Sequence, residues 1–151
     1  MEERALDGLA GFARRHVAEW KNMPQHLFTG HQGERAAFFH LRRTGHIVVA
    51  RRWSSGSVPG DIDLIAWKDS LLCFIEVKTR TGHGLTPAEF AVDAHKRHMI
   101  RRLARHYIRQ LPQEVPPQAR FDVLSVYLLP DGTREFFHFE NAFGWDEQRR
   151  E

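Results

Sequence analysis

Apolar and polar residues alternate along this chain with two different periods, and the switches between them mark its elements. In residues 4–20, Leu6, Leu9, Ala13, Val17 and Trp20 recur at helical spacing, with Pro24 just beyond, which predicts an N-terminal helix. A second helix is expected from Gly30 to Gly45, with Gly45 as its stop. His46 to Trp53 has a Val-rich centre and predicts a strand, and Ser54 to Gly60 is loop material. Asp61-Ile62-Asp63-Leu64-Ile65-Ala66-Trp67 and Leu72-Cys73-Phe74-Ile75-Glu76-Val77-Lys78 read as strands joined by Lys68-Asp69-Ser70. A loop is expected from Thr79 to Pro87. Residues 93–111 carry the most regular helical stripe, Ile100, Leu103, Tyr107 and Leu111, ended by Pro112. After a linker from Gln113 to Gln118, Phe121–Leu129 and Arg134–Phe139 predict two strands around an Asp131-Gly132 turn. Past the N-terminal extension the order is helix, three strands, helix, two strands, which agrees with a mixed sheet flanked by helices.

Composition narrows the class. A length of 151 residues suits one domain with a single core. No run approaches the ~18 apolar residues of a membrane span, and the N-terminus lacks an apolar secretory segment, so no membrane association and a cytoplasmic location are expected. The single cysteine, Cys73, excludes an intramolecular disulfide and a cysteine-cluster zinc site. It falls on the strand face opposite Glu76, as a buried structural thiol would. His95 and His98 are three apart on a helix, but no further ligand follows at zinc spacing. A net charge of +3 permits nucleic acid as a partner without demanding it.

The candidate chemistry lies in the two acidic strands. Side chains alternate faces along a strand, so Asp63 shares a face with Ile65 and Trp67, and Glu76 with Phe74 and Lys78. A two-residue loop at Asp69-Ser70, or a four-residue loop from Lys68 to Leu71, sets Trp67 opposite Leu72 and Asp63 opposite Glu76. Like charges directly opposed, roughly 5 Å apart at Cβ, destabilise a strand pair. A divalent cation between them resolves the conflict, and Mg²⁺ takes one or two carboxylates while keeping other positions for water and phosphate. Such a metal polarises a phosphoryl oxygen and activates a water. Lys78, two residues on, is a cation for the charge that builds on the phosphate.

Gly60-Asp61-Ile62-Asp63-Leu64-Ile65 followed by Phe74-Ile75-Glu76-Val77-Lys78-Thr79-Arg80 resembles the PD-(D/E)xK nuclease motif. More narrowly, the chain resembles the YraN-like family of small bacterial proteins. The resemblance runs from about Gly30 to Phe143 and includes Gly33-Glu34-Arg35-Ala36, Arg120-Phe121-Asp122-Val123 and Asn141-Ala142-Phe143. Asp61, where that family more often shows Glu, and Arg52-Trp53-Ser54 depart from its pattern. The resemblance implies a restriction-endonuclease-like αβββαβ core over residues 30–143, near the archaeal Holliday-junction resolvases, with residues 1–29 as a helical extension and 144–151 as a tail. It implies Mg²⁺ or Mn²⁺ held by Asp63, Glu76 and the Val77 carbonyl. It also implies catalytic roles for Lys78, for Glu34 as a third acid on its helix, and for Lys96. A homodimer is the corresponding expectation for an enzyme that cuts two strands symmetrically.

Three further features bear on partners. Glu34 is expected in the first turn of its helix, where an acid also suits the dipole. Lys96 lies on the apolar stripe of residues 93–111, one turn before Ile100, where a lysine must snorkel or meet an anion. That helix also bears Arg97, Arg101, Arg102, Arg105 and Arg109 with no acid from Ala94 to Pro112. Arg97, Arg101 and Arg105, together with Arg51, Arg52 and Arg80, are candidates for contact with a phosphate backbone. Asp122 begins a strand, where pairing with a basic residue is expected, and its role is left open. The leading expectation is a metal-dependent endonuclease acting on DNA, including branched or structured forms. The alternatives are a non-catalytic nucleic-acid-binding module on the same fold, and a scaffold whose basic helix meets an acidic protein.

Overall fold

The structure is a computed structural model and describes residues 23–82 and 92–146. The helix expected over residues 4–20 and most of the loop expected up to Pro87 lie outside the described residues. The chain divides between Gln32 and Gly33 into two compact units. The described part of the first is one helical stretch, and the second contains the sheet.

The described elements are α1 (Gln25–Arg43), β1 (Ile47–Trp53), β2 (Ile62–Lys68), β3 (Leu71–Arg80), α2 (Ala94–Arg109), β4 (Ala119–Leu128) and β5 (Arg134–Phe143). The expected αβββαβ order is present, with β5 added at the end. α1 starts five residues before the expected Gly30, because Pro24 O accepts from both Leu27 N and Phe28 N and opens the helix there. It closes as Gly45 predicts, with His46 N–H donating to Leu41 O across the end. α2 begins on a cap that its sequence holds but the periodic pattern did not single out. The Asp93 carboxylate accepts from Lys96 N at 2.8 Å.

The sheet is mixed, in the order β1-β2-β3-β4-β5. β3 and β4 are parallel, joined through α2, and the other neighbours are antiparallel. β3 is central and buried from Leu72 to Val77. Its alternate residues therefore feed two cores. Leu72 and Phe74 pack with Ile100, Leu103 and Phe121 beneath α2, while Cys73, Ile75 and Val77 pack with Ala36, Ala37 and Leu41 beneath α1. Cys73 is fully buried, and burial pushes its thiol up to about 11, which leaves it protonated and inert as expected. β5 runs to Phe143, four residues past the expected end at Phe139. A bulge opposite Asp122 takes up residues between Phe139 and Phe143, with Asn141 at φ +51°. Among the described residues no helix is long and apolar enough to cross a membrane.

Candidate active site

The β2–β3 hairpin has the two-residue loop, Asp69-Ser70, with ladder pairs from Lys68↔Leu71 through Trp67↔Leu72 to Leu64↔Ile75. Continued by one residue, that register sets Asp63 against Glu76. Gly60 fixes where β2 starts. It has φ +94°, which favours glycine, and a Cβ there would press on the Met99 side chain on α2.

Glu76 is 6% exposed in the middle of the sheet. Two ammonium groups reach it, one to each oxygen: Lys78 Nζ at 3.3 Å from Oε1 and Lys96 Nζ at 3.3 Å from Oε2. Lys96 thus resolves its place on the apolar stripe by meeting an anion. Neither ion pair is short, and Oε2 is a buried acceptor with no hydrogen bond. Asp63 accepts from Val77 N at 2.7 Å through Oδ2. Burial, then the facing Glu76 charge, push its pKa up to about 7 against the opposing pull of the Val77 N–H and Lys96. The side chains of Asp63, Glu76, Lys78 and Lys96 therefore form one cluster beneath α2, and it is short of positive charge at Asp63. Two opposed carboxylates with an orphaned buried oxygen fit a hard cation with oxygen ligands.

Glu34 departs from expectation. α1 starts at Gln25, so Glu34 is mid-helix rather than in the first turn. Its carboxylate is gripped by Arg52, with Nε to Oε2 at 2.7 Å and Nη2 to Oε1 at 3.0 Å. α1 covers the other face of the sheet, and among the described residues no three His, Cys, Asp or Glu side chains gather around a metal position. Glu34 still helps raise the Asp63 pKa by charge. Its neighbour Gly33 explains the close approach of α1, because a Cβ there would strike Thr79 Oγ1 on β3.

The arginines divide. Arg101 is a correction: it is 5% exposed, donates Nε–H to Gly144 O at 2.7 Å and stacks over Phe143, so it fastens the chain after β5 and does not present a charge to solvent. Arg105 is exposed over the Trp145 ring. Arg52 is engaged by Glu34 and holds φ +45°. Arg51 is exposed over Phe38. Arg80 and Arg97 each keep a buried Nε with no hydrogen-bond partner among the described residues.

A second cluster lies on the α1 side, and of it only a basic partner for Asp122 was expected from the sequence. Asp122, wholly buried, accepts from Arg120 Nε, from His138 Nε2 at 2.8 Å and from Asn141 N at 2.9 Å. His46 lies tilted against His138 with ring centroids 5.5 Å apart, and burial lowers its pKa, helped by the neighbouring His138 charge. The signal was available in part. Asp122 shares its strand face with Leu124 and Val126, a position that demands hydrogen-bond donors.

Residues 33–126 match a family model described as Uncharacterised protein family UPF0102. The chain belongs to this family. It is the YraN-like family that the motifs point to. A UPF0102 protein of Koribacter versatilis is 48% identical over 105 residues, covering 70% of this chain and 72% of that relative. One from Porphyromonas gingivalis is 43% identical over 122 residues, covering 80% and 87%. One from Symbiobacterium thermophilum is 44% identical over 115 residues, covering 76% and 94%. The UPF0102 match starts at the glycine that packs on Thr79 and ends within β4. It contains Asp63, Glu76, Lys78, Lys96 and Asp122.

Proposed function

We propose that this UPF0102 protein is a metal-dependent endonuclease that hydrolyses phosphodiester bonds in DNA, including branched forms. One observation carries the reading: the half-buried Asp63 is opposed to the buried Glu76, with Asp63 incompletely compensated. A protein gains nothing in stability from that arrangement, and residues held against stability are commonly functional. Asp63, Glu76 and the Val77 carbonyl would hold Mg²⁺ or Mn²⁺. When bound, the metal supplies Lewis-acid polarisation of a phosphoryl oxygen and a more acidic water. Lys78 Nζ, now 3.3 Å from Glu76 Oε1, would neutralise charge on the phosphate, since a metal held by Glu76 would compete with that ion pair. Lys96 Nζ holds Glu76 in orientation from α2. The orphaned Nε groups of Arg80 and Arg97 are donors suited to phosphate oxygens. The resemblance to PD-(D/E)xK nucleases supports the same assignment.

The second reading is a DNA-binding module without cleavage. What favours it is that Lys78 and Lys96 both already pair with Glu76, and that Glu34 is tied to Arg52 rather than completing a set of three acids. The test is incubation of the protein with linear, nicked and four-way DNA in Mg²⁺ and in Mn²⁺. Cleavage abolished by EDTA supports the nuclease. Binding to these DNAs with no cleavage in either metal leaves the module.

A further inference from the structure

Beyond the acidic cluster, the outer side of α1 and the edge strand β1 carry a surface that the proposed chemistry does not use. From Arg35 to Arg43 and throughout β1 there is no acid. Arg42 and Arg51 place their guanidinium groups over the Phe38 ring, at 5.6 and 5.1 Å, and Arg35 lies 6.0 Å from the Phe39 centroid. Phe38 and Phe39 meet edge to face at 5.2 Å. Phe39 is 43% exposed and Val49 45%, and all three arginines are exposed. Among the described residues, no acidic side chain pairs with any of these arginines.

Exposed guanidinium planes and an exposed ring, interleaved and uncompensated, match a partner with negative charge and flat apolar faces. Unpaired nucleotides offer both, because their bases are free to stack while their phosphates meet the arginines. In a duplex the bases are stacked on one another, and only the phosphates are available. A second copy of the chain fits less well. β1 is an outer strand, but its ladder is broken by the register shift between Val48 and Ala50 and by Arg52 at φ +45°, so it offers no regular edge for another strand. An arginine-rich surface facing its own copy would also repel itself.

We infer that the Arg35–Phe39–Arg42–Arg51 surface binds an unpaired DNA strand. The choice of DNA rests on the nuclease reading, and the surface gives that enzyme a preference for substrates with single-stranded parts. The test is fluorescence anisotropy with labelled oligothymidine, oligouridine and a blunt duplex, all in EDTA, so that binding is read without cleavage. The parent binds oligothymidine more tightly than the duplex. Phe39→Ala weakens oligothymidine binding by about 10-fold, the loss of one base stack, and leaves duplex binding nearly unchanged. Phe39→Trp restores it. Arg42→Ala and Arg51→Ala each reduce the salt slope for oligothymidine by roughly 0.7. All four positions are at the surface, and matching melting temperatures exclude misfolding as the cause. Equal losses on duplex and single strand, tighter binding to oligouridine, no oligothymidine binding by the parent, or a dimer that Phe39→Ala dissociates would each overturn the inference. Cleavage is scored separately. A parent that cleaves DNA while these variants bind normally retains the nuclease and loses this surface, and one that binds through it without cleaving does the reverse.

Discussion

Glu76 and Asp122 are buried carboxylates on neighbouring parallel strands. β3 and β4 pair Ile75 with Asp122 and Glu76 with Val123, so the two acids are one register step apart. That single step turns them to opposite faces of the sheet. Under α1, Asp122 accepts from an arginine, a histidine and a backbone N–H, all between 2.8 and 3.2 Å. Under α2, Glu76 has two ion pairs at 3.3 Å, an oxygen without a hydrogen bond, and a second carboxylate opposite. The same residue chemistry at the same depth thus serves two ends. A carboxylate whose acceptors are filled holds elements together, and one left short of donors and crowded by another acid is ready for a ligand.

The strongest way to break this contrast is Asp122→Ala. It takes the acceptor from the half-buried Arg120 and His138 and from the Asn141 N–H, while Arg120 keeps Glu140, and it is expected to cost about 3 kcal/mol. At ~2–4 °C per kcal/mol for a chain of this size, thermal unfolding falls by about 10 °C. Unfolding followed by circular dichroism checks it, and a loss below about 1 kcal/mol would show that Asp122 is not a structural hub.

The next is Lys78→Ala. The proposed function puts its ammonium outside the metal's ligands but beside the reacting phosphate. Single-turnover cleavage is expected to fall ~100-fold or more, as for loss of a preorganised group that stabilises transition-state charge. Calorimetry should find Mg²⁺ binding retained or tightened, since a competing cation has gone. Cleavage equal to the parent's would remove this role from Lys78.

Asp63→Asn tests the crowded side directly. The amide oxygen keeps the Val77 N–H bond and its NH₂ group can donate to Glu76, so repulsion is replaced by attraction. The Asp63 carboxyl is raised from 3.8 to about 7, so the folded state holds the proton more tightly than the unfolded state does. The charged form costs stability, by an amount that grows from near pH 4 to near pH 7 and is complete above. In EDTA at pH 8 the variant is therefore expected to melt about 3–6 °C higher than the parent, a gain of ~1–2 kcal/mol, and the difference should vanish near pH 4. The variant should also lose most of the stabilisation that Mg²⁺ gives the parent. A variant less stable in EDTA that still gains fully from Mg²⁺ would separate Asp63 from the metal.

The smallest effect separates two arginines one turn apart on α2. Arg97→Ala should lower the salt slope of DNA binding by about 0.9, one phosphate contact. Arg101→Ala should leave that slope unchanged and lower stability by ~1–2 kcal/mol through loss of a charged hydrogen bond to Gly144 O. The reverse pattern would mean that the buried side of α2 opens to solvent when DNA binds.

Much of the Asp63–Glu76 side was legible because its constraints are short-ranged. Strand alternation and a short turn fix which residues of a hairpin face each other, so Asp63 opposite Glu76 followed from spacing alone. The apolar stripe of α2 placed Lys96 over an anion for a similar reason, since helical period decides the face. The Asp122 side was legible only as far as a basic partner for Asp122. Its donors come from residues 2, 16 and 19 positions away, and the last is aimed by a bulge and a left-handed Asn141 that no periodic pattern signals. Arg101 looked like part of a free basic row until Gly144, 43 residues on, was packed against it. Glu34 was expected as a third acid at the site, but its partner Arg52, 18 residues on, was not. The sequence by itself determined the order of elements, the hairpin register and the residues that share a strand face, because these depend on local backbone geometry. Which guanidinium meets which carboxylate was decided only when α1 and α2 buried their apolar sides on opposite faces of the sheet, because that packing brings together residues far apart in the chain.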